Sequence, residues 1–141
     1  MCQIPSKCIH NSWIYSYPQG NHDKEVEPLE DISKVGKWLV FIDRNNIDRI
    51  WSDIKKATEK GTLGIEAKVS SKKQTDAFGN KKEHVICVYT KNLEDKDDVM
   101  RVRNQLRKLG INHKIPYKRD LDTVLGKYVR TTQTKISVYY D

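Results

Sequence analysis

Apolar residues recur along this chain with two periods, and the switches between them divide it into elements. Gly36-Lys37-Trp38-Leu39-Val40-Phe41-Ile42-Asp43 is an almost unbroken apolar run of strand length, the pattern of a central strand buried on both faces. The run Ser12 to Tyr17 is aromatic and β-branched and stops at Pro18-Gln19-Gly20-Asn21, which predicts a second strand. Leu63 to Ser70 alternates: Leu63, Ile65, Ala67 and Val69 fall on one side, Gly64, Glu66, Lys68 and Ser70 on the other. The polar stretch Ser71 to Glu83 reads as a long hairpin loop. His84 to Thr90 reads as its returning strand, with Ile86 and Val88 toward a core and Cys87 and Tyr89 on the opposite face.

Two segments carry the helical period instead. Ile47, Ile50, Trp51 and Ile54 form one apolar stripe, which predicts a helix over Asn46–Lys60, capped by Asn45 or Asn46 and stopped by Gly61. Val99, Val102, Leu106 and Leu109 form another, which predicts a helix over Asp95–Leu109 that ends at Gly110. Beyond it, Ile111, His113, Ile115 and Tyr117 alternate as a strand ending near Pro116. Asp120 to Leu125 is a turn or short helix, and Val129 and Ile136 to Tyr140 add one or two strands.

The order strand, strand, helix, hairpin, helix, strands requires antiparallel pairing, because a hairpin is antiparallel by construction. The predicted class is α+β: an antiparallel sheet with two main helices gathered on one face. The other face, carrying Glu66, Lys68, Cys87 and Tyr89, is left open to a ligand. Residues 1–11 are expected to be a flexible N-terminal segment and 12–141 a single domain, a size that fits one modest core.

Charge narrows the choice of partner. The net charge of +7 favours anionic partners, above all a nucleotide or RNA, with an acidic protein as an alternative. No apolar stretch approaches the ~20 residues of a membrane span, and no signal-peptide core is present, so no membrane association and a cytoplasmic location are expected. The three cysteines, Cys2, Cys8 and Cys87, have no framework spacing and suit a reducing compartment. Cys2, Cys8, His10 and His22 are spaced too irregularly for a metal site, and no phosphate-loop or nucleophile-elbow motif occurs, so neither metal nor cofactor is expected. His84 and His113 read as ordinary histidines, and Trp38 and Trp51 as core. Trp13 reads as core too, with stacking on a ligand, as for Phe78, the alternative.

The most informative cluster is C-terminal. Lys118, Thr123, Lys127, Tyr128 and Arg130 combine cationic and hydroxyl groups around Gly126 in a turn-rich region, a set suited to phosphate. Lys68 on the open face and Arg101 or Arg103 on the second helix are candidates to complete the pocket.

Several motifs follow one order: Gly36 to Phe41, the helix with Asp48 and Trp51, Leu63-Gly64 with Ala67 to Ser70, His84 to Thr90, and Tyr117-Lys118 through Tyr128. That order resembles the basophilic-leukaemia-expressed protein family, some members of which carry a phosphothreonine lyase label. The resemblance implies a fold similar to the messenger-RNA cap-binding translation initiation factor: a curved antiparallel sheet with helices on its convex side. The paired loop tryptophans of the cap binders have no counterpart here, since Pro18 to Val35 has no Trp and the Ser71–Glu83 loop offers only Phe78. Three functions follow as expectations: a non-catalytic module for a phosphate-bearing ligand, a lyase using residues such as Lys68, His84, Lys118 and Arg130, and a protein-interaction or inhibitor module.

Overall fold

Residues 2–20, 32–79, 83–121 and 137–141 are described by the structure, a computed structural model. Six strands are present among them: β1 (Trp13–Ser16), β2 (Gly36–Asp43), β3 (Glu66–Ser70), β4 (Glu83–Thr90), β5 (Pro116–Arg119) and β6 (Ser137–Tyr140). They form one antiparallel sheet in the order β1-β3-β4-β2-β5-β6. The apolar run Gly36–Asp43 is central, as its composition predicts, and it pairs with β4 along its whole length.

Side chains alternate across this sheet, so its register defines two faces. One face carries Ile14, Trp38, Val40, Ile42, Ala67, Val69, Ile86, Val88 and Tyr117, all in one buried cluster. Helices α1 (Arg44–Glu59) and α3 (Lys96–Lys108) cover that face with Ile47, Trp51 and Ile54, and with Val99, Val102 and Leu106. Each such side chain contributes roughly 1.5–3 kcal/mol by leaving water, so two helical stripes are enough to hold the layer in place. Trp38 adds a directed link, its indole N–H donating to the Val99 carbonyl at 3.0 Å.

The structure differs from the sequence reading in several places. Helix α1 begins at Arg44, with Asp43 in extended conformation as its N-cap residue; the Asp43 carboxylate makes no bond to the helix backbone and accepts instead from Asn46 Nδ2 at 2.7 Å. The supposed hairpin loop contains a third helix, α2 (Lys72–Ala77), capped by Ser71, whose Oγ accepts from the Gln74 N–H at 3.2 Å. Strand β5 starts at Pro116, where the expected strand was to end, and pairs with β2 and β6. Ile65 does not join the core. A Cβ at Gly64 would lie 1.7 Å from the Tyr89 carbonyl oxygen, and Ile65 N–H donates to that same oxygen at 3.0 Å. This close approach breaks the alternation, and Ile65 packs on the opposite face with Val35, Leu39, Cys87 and Tyr89.

The segment before β1, expected to be flexible, makes specific contacts. Cys2 and Cys8 form a disulfide, unlike the reduced thiols expected from their spacing, and Cys8 is buried. The Pro5, Cys8 and Ser12 carbonyls accept from the N–H groups of Lys72, Lys73 and Ser71, so this segment seats the start of α2. Ser6 N–H donates to Asp48 of α1 at 3.0 Å.

Candidate functional site

The face of the sheet away from α1 and α3 is organised in three cross-strand rows. The first holds Trp13 opposite Ser70 and Phe41 opposite Val85. The second runs Tyr15, Lys68, Cys87, Leu39. The third runs Glu66, Tyr89, Lys37, Lys118. Polarity rises from the aromatic first row to the charged third.

Over the second and third rows lies an open concavity of ≈ 410 Å³, lined by residues that include Tyr15, Ile65, Glu66, Lys68, Tyr89 and Asp120. Its floor is pinned by Lys37, which is buried, donates to Asp120 Oδ1 at 2.7 Å and lies 5.7 Å from the centre of the Tyr89 ring. Lys68 is held differently. Its ammonium sits 4.1 Å from the centre of the Trp13 ring and 6.0 Å from that of Tyr89, and it forms no ion pair among the described residues. Aromatic faces stabilise a cation without neutralising its charge, so the ammonium is left able to meet an anion.

Two carboxylates face the same space. Burial raises the Glu66 carboxyl above the ordinary carboxylate range, against the lowering effects of a hydrogen bond from Tyr17 and of nearby Lys68. Cys87, in the second row, is pushed up to about 11 by burial, so its thiol stays protonated and unreactive at neutral pH. Burial likewise raises the Tyr89 phenol, which therefore remains a neutral hydrogen-bonding ring.

The residues expected from sequence divide into three groups. Lys68 and Lys118 lie on this face, in adjacent rows. Arg101 and Arg103 do not join them, because both belong to α3 on the other side of the sheet. Arg101 donates to the Thr62 and Leu63 carbonyls, each at 3.0 Å. Arg103 is fully buried and spends its guanidinium on the carbonyls of Asp141 at 2.7 Å, Ile111 at 2.9 Å and His113 at 2.8 Å. Thr123, Lys127, Tyr128 and Arg130 lie outside the described residues.

His84 is turned to the core side and is fully buried. Its Nδ1 meets the Ser70 carbonyl at 2.7 Å and its Nε2 accepts from Arg44 Nε at 3.0 Å, while Arg44 also reaches Thr75 and Asp76 of α2. These partners fit a neutral ring with its proton on Nδ1. Lys68 and His84 therefore have opposite parity in the sheet, and both nitrogens of the His84 ring are engaged by Ser70 and Arg44. Among the described residues no group of three or more His, Cys, Asp or Glu side chains is placed to hold a metal. No helix among them is long and apolar enough to cross a membrane.

Lys37, Tyr15 and Asp120 were not singled out as ligand-facing by the sequence, and Trp13 only as an alternative to a core role. The available signal was parity: carrying the alternation through the apolar run puts Lys37, Leu39 and Phe41 on the open face together.

The sheet with its helices on one side and this lined face on the other is the fold of the eIF4E cap-binding proteins. Schistosome eIF4E complexed with m7GpppA and 4E-BP superposes with a TM-score of 0.58 at 12% identity, over 82% of this chain and 64% of that one. The complex of C. elegans eIF4E-3 with the 4E-binding protein Mextli gives 0.51 at 20% identity, over 72% of this chain and 62% of that one. This chain thus matches somewhat under two thirds of the length of each. Within that fold it belongs to the Basophilic leukemia-expressed protein Bles03 family, whose model matches residues 30–126.

Proposed function

We propose that the open face binds a nucleotide-type ligand without transforming it. The observation that carries this reading is Lys68, an ammonium held over aromatic rings, outside any ion pair of the described residues, beside two carboxylates. Phosphate meets Lys68 and Lys118. A base stacks against Tyr15 or Tyr89 and presents its N–H edge to Glu66 or Asp120, since ionised carboxylates only accept hydrogen bonds. The likeness to eIF4E supports the ligand class, since one of those structures is a complex with m7GpppA. Thr123, Lys127, Tyr128 and Arg130 are proposed as further phosphate contacts.

Calorimetric titration with GMP, GDP, AMP and UMP at low and physiological salt tests this. Saturable binding that weakens with salt is expected, and Lys68→Ala should cost about tenfold or more, the scale of one charge-assisted hydrogen bond. Absence of binding at low salt, or unchanged affinity in Lys68→Ala, would contradict the assignment.

A further inference from the structure

The first row of the open face is not absorbed by that reading. Trp13, Phe41 and Val85 there meet Phe78, just beyond α2, around a cavity of ≈ 200 Å³ also lined by Thr75 and Gln74. Phe41 is 43% exposed and Phe78 is 78% exposed, so two large rings face solvent at the rim of one mostly apolar hollow. An apolar cavity of about 150 Å³ takes a benzene ring, so this one is sized for one ring system and is too small for a whole nucleotide. The hollow adjoins the charged concavity at one contact: Trp13 of the hollow carries Lys68 of the concavity 4.1 Å from its ring centre. A cation therefore stands at the junction between an aromatic compartment and a carboxylate-lined one.

We infer that the Trp13–Phe41–Phe78 hollow is a second subsite, for the second base of a dinucleotide-class ligand whose linking phosphate lies on Lys68. This deepens the nucleotide reading and rests on it. The charge placement argues for this occupant: a phosphate that joins two rings puts its negative charge at the junction, where the ammonium is. Arg44 is positioned to keep the hollow shaped, since it ties α2, through Thr75 and Asp76, to buried His84.

Titration of the intact protein with pGpA and with GDP separates the two compartments, because both probes carry two phosphates and only pGpA has a second base. The expected result is tighter binding of pGpA by about tenfold or more, the scale of stacking one base on aromatic side chains. In the double variant Phe41→Ala/Phe78→Ala that advantage should vanish while GDP affinity is unchanged. Both rings are exposed, so the variant should fold, and circular dichroism checks that it does. Equal affinity of GDP and pGpA would overturn the second subsite and leave the nucleotide reading standing. An advantage that survives the double variant would also overturn it, by placing the second base elsewhere. If neither probe binds, both proposals fall.

Discussion

Glu66 lies between the Tyr17 hydroxyl, Lys68 and Asp120, and burial raises its carboxyl above the ordinary range. The folded chain thus keeps a proton on Glu66 at pH values where the unfolded chain has lost it. Stability gains from this group as pH falls through the raised value, and at neutral pH the buried charge is a cost. Glu66→Gln should therefore melt higher than the wild type at pH 7 yet bind nucleotides with N–H-rich base edges more weakly. Paired thermal melts and titrations check both. His84 has the opposite sign. Burial lowers its pKa below the ordinary imidazole value, with Arg44 adding to the effect and the Ser70 carbonyl opposing it. Below roughly pH 6.5 the unfolded chain takes up a proton that the folded chain refuses, so stability should fall by up to about 1.4 kcal/mol per pH unit until the folded value is reached. Denaturant titrations between pH 7 and 5 should show this slope, and His84→Gln should flatten it. Of these two residues, sequence parity put Glu66 on the open face. The partners of His84 come from α1 and β3, which are distant in sequence and carried no signal of their meeting.

At the scale of elements, the helical stripes of α1 and α3 and the runs of β2 and β4 were legible because each repeats its period over many residues. Helix α2 was not: it has six residues, of which only Thr75 is buried, so no apolar stripe marks it. Its position depends on carbonyls of the N-terminal segment, and the Cys2–Cys8 disulfide that shapes this segment has no framework spacing in the sequence. Arg103 was legible as a cation but not as a structural one. It joins α3 to the carbonyls that precede β5 and follow β6, and its removal would take this donor from the Ile111 and His113 carbonyls, while Asp141 O keeps the Ile115 N–H. Arg103→Ala should cost about 3–5 kcal/mol in chemical denaturation, the scale of losing several hydrogen bonds from a charged group to carbonyls. Gly64→Ala should cost about 1–3 kcal/mol, because its Cβ has nowhere to go but into the Tyr89 carbonyl. Arg103 lies on the helical side of the sheet, so at temperatures where Arg103→Ala stays folded its nucleotide affinity should match that of the wild type, whereas Gly64→Ala presses on Tyr89 beside the concavity and should weaken binding as well.

For the whole molecule, a single sheet separates structure from recognition. One face is used up by helices and a continuous core, and the other presents graded rows of aromatic and charged side chains with Lys68 in the middle row. The net charge of +7 favours anionic ligands in general, and the proposal of a nucleotide rests on the arrangement of the open face. Sequence reading reached this face by alternation but chose Arg101 and Arg103 as well, since charge type alone does not reveal on which side of a sheet a helix packs. The most direct measurement is a map of amide chemical-shift changes as GDP is titrated into the isotopically labelled protein. Saturable shifts are expected, concentrated at Trp13, Tyr15, Glu66, Lys68, Tyr89 and Lys118, with α1 and α3 unmoved. Shifts confined to the helical face, or none at millimolar GDP, would contradict it.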